Sequence, residues 1–361
     1  MKRIAIIFLT ALSCLLHASL AIAGVAVPAD DKGLLYTGRV DFTDPRAPVI
    51  SWPSTAVAAN FVGTSLAVTL DDEKGQNYFN VILDGDDAAP LILQADRGNK
   101  TYVLATGLKP GPHSFLITKR TEGAEGATVL RGFELSDGGQ LLPPPPRPAR
   151  RMEVFGDSIT SGLGNEAPVN GRDDALRDKN SYMSYASIAA RKLGAELHMT
   201  SQSGIGVMIS WFPFTMPEFY GQMSAVGKND TRWEFPRWTP DVVVINLMQN
   251  DRWLIDDRHR LQPEPNEEQR IAAYETFVQR IRKAYPKAYI VCALGSMDAT
   301  RPGSKWPGYV KAAVERLRRG GDERIDSIFF EYTGYGAHPR VVQQKDMAAK
   351  LAAHIQRAMG W

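Results

Sequence analysis

Residues 152–162 read Met-Glu-Val-Phe-Gly-Asp-Ser-Ile-Thr-Ser-Gly. The apolar run Met152–Phe155 stops at Gly156 and leaves Ser158 on the turn into the next element. Four similar runs follow: Glu196–Thr200, Val242–Leu247, Ala288–Leu294 and Ser327–Phe330. Helix-like stretches lie between and after them, at Ser181–Leu193, Glu267–Tyr285, Trp306–Arg319 and Pro339–Met359. Gly194 is a good C-terminal stop, and Pro339 suits a first helical turn. Strand and helix alternating in this way predict a parallel sheet with helices on both faces, a three-layer α/β/α domain. Such sheets carry their reactive groups at the carboxyl ends of the strands.

At the first of these ends, the backbone N–H of Ser158 and the start of a helix face any developing anion. Thr160 stands where a Gly-x-Ser-x-Gly elbow has its second glycine, so the usual α/β-hydrolase arrangement is excluded. No phosphate-binding glycine motif occurs there. The second end reads Ser201-Gln202-Ser203-Gly204-Ile205-Gly206, where Gly204 can bring a bare N–H close to a ligand. The third reads Asn246-Leu247-Met248-Gln249-Asn250-Asp251, and the Asn250 amide can face an oxyanion. Taken singly, each block is also an ordinary turn. The last end reads Gly334-Tyr335-Gly336-Ala337-His338-Pro339, which places His338 on a short stiff segment. His113, His198, His259 and His354 read as surface or core residues.

The 361 residues exceed what one core sustains, so two domains are expected. The run Leu141-Leu142-Pro143-Pro144-Pro145-Pro146-Arg147-Pro148 marks the boundary, with residues 143–151 as a stiff linker. Ahead of it, residues 24–142 hold short strand-like runs at Ala56–Val62, Leu66–Leu70, Tyr78–Leu83, Thr101–Ala105, Ser114–Lys119 and Thr128–Leu135. Turns such as Asp84-Gly85 separate them, and the pattern predicts a β-sandwich. Its acidic turns, Asp71-Asp72-Glu73 and Asp84/Asp86/Asp87, read as solvated carboxylates. The α/β domain occupies residues 152–361.

Residues 1–23 combine Lys2 and Arg3, an apolar stretch from Ile4 to Leu16, and Ala21-Ile22-Ala23 ahead of Gly24. That is the pattern of a secretory signal peptide, and it implies a secreted or periplasmic protein. A membrane anchor is the alternative, but the stretch is short and broken by His17 and Ser19. No membrane insertion is expected after cleavage. The formal charge of +2 loses Lys2 and Arg3 with this segment and becomes neutral. A neutral chain offers no electrostatic reason to expect nucleic acid as a partner. The two cysteines, Cys14 and Cys292, exclude a disulfide framework, and Cys292 in its apolar run reads as an inert buried thiol.

Together the four strand-end blocks resemble the SGNH/GDSL hydrolases. The β-rich half resembles that of carbohydrate esterase family two, through Thr37-Gly38-Arg39 and Tyr78-Phe79-Asn80-Val81 followed by Asp84-Gly85. Members of that family join a jelly-roll β-sandwich to an SGNH domain and remove acetyl groups from xylan and glucomannan. The resemblance implies Ser158 as nucleophile and His338 as its base. It implies an oxyanion hole from Ser158, Gly204 and Asn250, and no metal or other cofactor. Two positions depart from it. Tyr335 stands where the family usually has an aspartate three residues before the histidine. A Ser-His dyad with a backbone carbonyl orienting the imidazole is therefore expected, with Glu331 a weaker substitute. Met248 stands where a glycine is usual, and its bulk is expected to narrow the acyl pocket or displace Asn250.

Between Trp211 and Trp238 lie eight aromatic residues in one long connection. Most are expected to pack the loop onto the domain, with about two on a sugar face. Trp253 and Trp211 are the named candidates for substrate contact. The resulting expectation is a monomeric acetyl esterase acting on acetylated carbohydrate. The alternatives are a lipase or arylesterase of broader acyl range, and a non-catalytic glycan-binding protein on an esterase scaffold.

Overall fold

The computed structural model describes residues 24–334 and 337–361. The expected signal peptide and Tyr335 lie outside the described residues. The N-terminal part is two facing antiparallel sheets of six strands each. In one, Thr128–Leu135 pairs with Val25–Pro28, Val49–Ile50 and Ser65–Asp72, and Ser65–Asp72 with Gly98–Thr106. In the other, Pro112–Lys119 lies between Ala56–Val62 and Tyr78–Leu83. Side chains alternate across each strand. Phe61, Val68, Val81, Phe115, Phe133 and Leu135 therefore meet in one core between the sheets.

The C-terminal part is a five-stranded parallel sheet. Its strands are Arg150–Gly156, Ala195–Ser201, Val242–Asn246, Tyr289–Leu294 and Ile325–Phe329, in the spatial order second, first, third, fourth, fifth. The first strand starts at Arg150, inside the stretch read as linker. Helices Glu267–Ala284 and Trp306–Arg319 cover one face with Phe155, Ile245 and Ile290. Helices Tyr185–Leu193 and Val341–Met359 cover the other with Met152, Val154 and Val244. This is the expected three-layer architecture. The final helix starts later than Pro339, because Arg340 is its N-cap. Cys292 is fully buried, and burial pushes its thiol up to about 12. No helix among the described residues is long and apolar enough to cross a membrane.

The two parts are joined by a buried polar seam. Arg39 donates to Glu153 at 2.6 Å and to the Tyr220 and Gln222 carbonyls, under the rings of Trp52, Trp233 and Phe235. Lys179 bonds Glu122 at 2.8 Å and Glu125 at 2.7 Å. Asn80 accepts from Arg120 and donates to Asn180 across the seam. The proline run is tied on both sides, by Asn60 to the Pro143 carbonyl and by Arg147 to Glu196. The connection is thus fixed in place by contacts at each end.

Candidate active site

In the strand register, Gly156 is opposite Ser201 on one side and Asn246 on the other. The ends of the first three strands are therefore level, at the point where strand order reverses, which is where such sheets bind ligands. Gly156 has to be glycine, since a Cβ there would stand 2.0 Å from the Thr160 hydroxyl. Asp157 caps the single turn Ser158–Ser161 by accepting from the Ile159 N–H at 2.9 Å. Its complete burial pushes its carboxyl up to about 7. Ser158 is the first residue of that turn and is 3% exposed.

His338 Nε2 lies 2.8 Å from the Ser158 hydroxyl. Its other ring nitrogen, Nδ1, lies 2.8 Å from Asp173 Oδ2, and the His338 backbone N–H donates to the same oxygen at 3.0 Å. The expected dyad is corrected here, because a carboxylate orients the imidazole where a backbone carbonyl was expected. Burial works to raise the Asp173 carboxyl. Hydrogen bonds from the His338 side chain and backbone and from Arg340 outweigh it and hold the group below the usual carboxylate range. An ionised carboxylate only accepts, so Nδ1 carries the proton and Nε2 is left to accept from Ser158. Glu331 takes no part; it is exposed and pairs with Lys350.

Arg340 is the reason Asp173 arrives at this place. Its guanidinium bonds the Gly164, Pro168 and Gly171 carbonyls and the Asp173 carboxylate. One side chain thus folds the irregular segment 164–173 against the histidine. Sequence reasoning missed Asp173 because the aspartate is remote from His338 and follows no motif. The available signal was Arg340, a cation two residues from the histidine that requires an anionic partner.

Gly204 has φ +85, and Trp211 packs close behind it. Asn250 is 2% exposed; its Nδ2 donates to the Ile205 carbonyl at 2.9 Å and its Oδ1 accepts from Trp211 Nε1 at 3.0 Å. Asp251 accepts from the N–H groups of Val207, Met208 and Ile209, which pins the loop after the second strand. Complete burial raises its carboxyl despite these three donors. Met248 adopts φ +89, the conformation that favours glycine, and its side chain is buried in the core cluster. It leaves both Asn250 hydrogen bonds in place, so the expected displacement of Asn250 does not occur.

The aromatic loop is mostly structural. Trp238 stacks on His198 at 3.6 Å, Trp233 lies over Arg39, and Phe219 is fully buried. Trp253 is half-buried, and its indole N–H is taken by Asp298 at 2.8 Å. Trp211 is 45% exposed and carries the Arg260 guanidinium over its ring.

Residues 36–145 match the family model described as Carbohydrate esterase 2 N-terminal. Residues 154–351 match that of the GDSL-like Lipase/Acylhydrolase family. The chain is 33% identical over 350 residues to the cellulase/esterase CelE of Acetivibrio thermocellus, covering 92% of this chain. It spans only 40% of the length of that relative. It is 25% identical over 340 residues to an acetylxylan esterase / glucomannan deacetylase of Cellvibrio japonicus, covering 93% of this chain and 91% of that one. A solved structure of a family two carbohydrate esterase from Clostridium thermocellum, in complex with cellohexaose, superposes with a TM-score of 0.81. Identity there is 33%, over 91% of this chain and 100% of that one. In sequence and in fold, over both parts, the chain belongs to the family two carbohydrate esterases.

Proposed function

We propose that the protein is a secreted serine O-acetyl esterase that removes acetyl groups from xylan- or glucomannan-type glycans. The single observation that supports this most is the relay Asp173–His338–Ser158, with both hydrogen bonds at 2.8 Å. Ser158 Oγ attacks the acetyl carbonyl carbon and passes its proton to His338 Nε2. The oxygen of the tetrahedral intermediate takes hydrogen bonds from the N–H groups of Ser158 and Gly204 and from the Asn250 amide. Collapse breaks the bond to the sugar oxygen, which leaves with the proton from His338. His338 then deprotonates a water that attacks the acetyl-enzyme, and acetate leaves as Ser158 recovers its proton. Asp173 holds the imidazole in the required tautomer and stabilises it while protonated.

The exposed ring of Trp211 offers an apolar face for a sugar, and we place the first substrate contact there in preference to Trp253. A mature chain of zero formal net charge suits an uncharged acetylated glycan. The residues Lys2 to Ala23 support export, with the mature protein acting as a soluble monomer. The test is acetate release from acetylated xylan and glucomannan by the wild type and by Ser158→Ala. Release by the wild type alone is expected. Equal rates for the two proteins overturn the reading, and hydrolysis of long-chain p-nitrophenyl esters with no acetate released from either glycan transfers it to a lipase.

A further inference from the structure

We infer that Trp211 is a positioning residue for the oxyanion hole, joining its glycine and its asparagine through one side chain and one peptide unit. The inference rests on the esterase reading of the site. The Trp211 backbone N–H donates to the Gly204 carbonyl at 3.0 Å. A Cβ placed on Gly204 would stand 3.3 Å from the Trp211 Cβ, so the two backbones are in close contact. The indole Nε1 then reaches Asn250 Oδ1 at 3.0 Å.

This last bond fixes the oxygen side of the Asn250 amide. An indole N–H can only donate, so the atom facing it has to be the amide oxygen. A carbonyl can only accept, so the atom 2.9 Å from the Ile205 oxygen has to be the amide nitrogen. The two neighbours specify the same orientation from opposite sides. They occupy the oxygen and one of the two N–H groups, which leaves the second N–H for the developing oxyanion. Without the indole, the Ile205 carbonyl alone opposes a flip, and a flipped amide would present an oxygen where a donor is required. Phenylalanine at this position keeps an aromatic ring, smaller than the indole, and removes that donor.

The experiment is a double-mutant cycle on kcat and KM, with p-nitrophenyl acetate and acetylated xylan as substrates. Trp211→Phe is expected to lower kcat about 5- to 30-fold on both esters, with KM within about twofold for p-nitrophenyl acetate, which has no sugar to stack on the ring. In an Asn250→Ala background the same substitution is expected to change kcat less than about twofold, since the group it positions is gone. An equal loss in both backgrounds, or no loss in either, overturns the inference. A wild type inactive on both esters overturns the esterase reading instead. A readout independent of turnover is the indole N–H resonance of Trp211. Asn250→Ala is expected to shift it and to speed its exchange with solvent, and an unmoved resonance overturns the hydrogen bond itself.

Discussion

Asp173 and His338 are 165 residues apart in the chain and 2.8 Å apart in the fold. The carboxylate enters from the segment after the nucleophile turn, at a position unrelated to the residues just before the histidine. Arg340 closes the arrangement by binding both the segment and the carboxylate. The site therefore has a third member without the usual aspartate at position 335.

Asp173→Asn separates a triad from a dyad. The amide preserves shape but can present an N–H to Nδ1, which stabilises the wrong imidazole tautomer and removes the charge beside the imidazolium. The corresponding change in a serine-protease triad costs about 10⁴ in kcat. A loss on the order of 10²–10⁴ in kcat, with KM little changed, is expected for deacetylation. If kcat stays within about fivefold of wild type, the histidine is oriented well enough by its backbone and the triad assignment is wrong.

The parts of this site that were legible beforehand are those at strand ends. Ser158, Gly204 and Asn250 each follow an apolar run closely, so the strand pattern locates them, while His338, eight residues past the last run, is marked by Pro339 beside it. The three-layer domain was legible for the same reason. Asp173 was not, because an irregular segment has no period and its position depends on four carbonyl and carboxylate contacts from Arg340. Arg39 and Asn80 were visible as motif residues, but their use was hidden. Two of their partners, Glu153 and Asn180, lie in the other domain, and only the docked domains bring them together. Trp253 looked well placed by its closeness to Asn250, yet helical geometry turns its indole to Asp298.

The polar seam between the domains makes Lys179 a test of coupling. Lys179, Glu122 and Glu125 are at most 7% exposed, and the one ammonium faces two carboxylates. Glu122 also accepts from the Ser203 N–H at 2.6 Å, next to the oxyanion glycine. Lys119 lies alongside, and burial pushes its ammonium down to about 7. Lys179→Met leaves the carboxylates without their main counter-charge, with Lys119 as partial compensation. A loss of about 2–4 kcal/mol in urea unfolding is expected. A loss below about 1 kcal/mol would show that the seam is not held by charge.

Asp157 predicts a dependence of stability on pH. Its folded value of about 7 lies above the ordinary 3.8, and burial is the cause. The native state therefore keeps a proton that the unfolded chain has already released between those two values. This group contributes stability that is complete below about pH 4 and is lost as pH rises through about 7. Asparagine removes the titration and can still cap the Ile159 N–H through its oxygen. The stability of Asp157→Asn relative to wild type should therefore rise between pH 4 and pH 8, by about 1–4 kcal/mol. Urea unfolding of both proteins at the two pH values measures it, and a constant difference sinks the assignment.

Met248 sets two local effects against each other. At φ +89 a non-glycine residue carries backbone strain of about 1 kcal/mol, which glycine would relieve. The same side chain is fully buried among the residues packed on the sheet face that carries Ile245 and Ile290. Removing a buried methionine side chain costs about 2–5 kcal/mol through lost transfer energy and the cavity left behind. Burial outweighs strain, so Met248→Gly is expected to destabilise the protein by about 1–4 kcal/mol. Asn250 keeps Trp211 and Ile205 as partners in this variant, so kcat below the unfolding temperature should stay within about threefold of wild type. Thermal unfolding together with acetate release on one preparation checks both halves. A stabilised variant would show that the strain at this turn exceeds the packing it supports, and a large fall in kcat would show that the methionine positions Asn250.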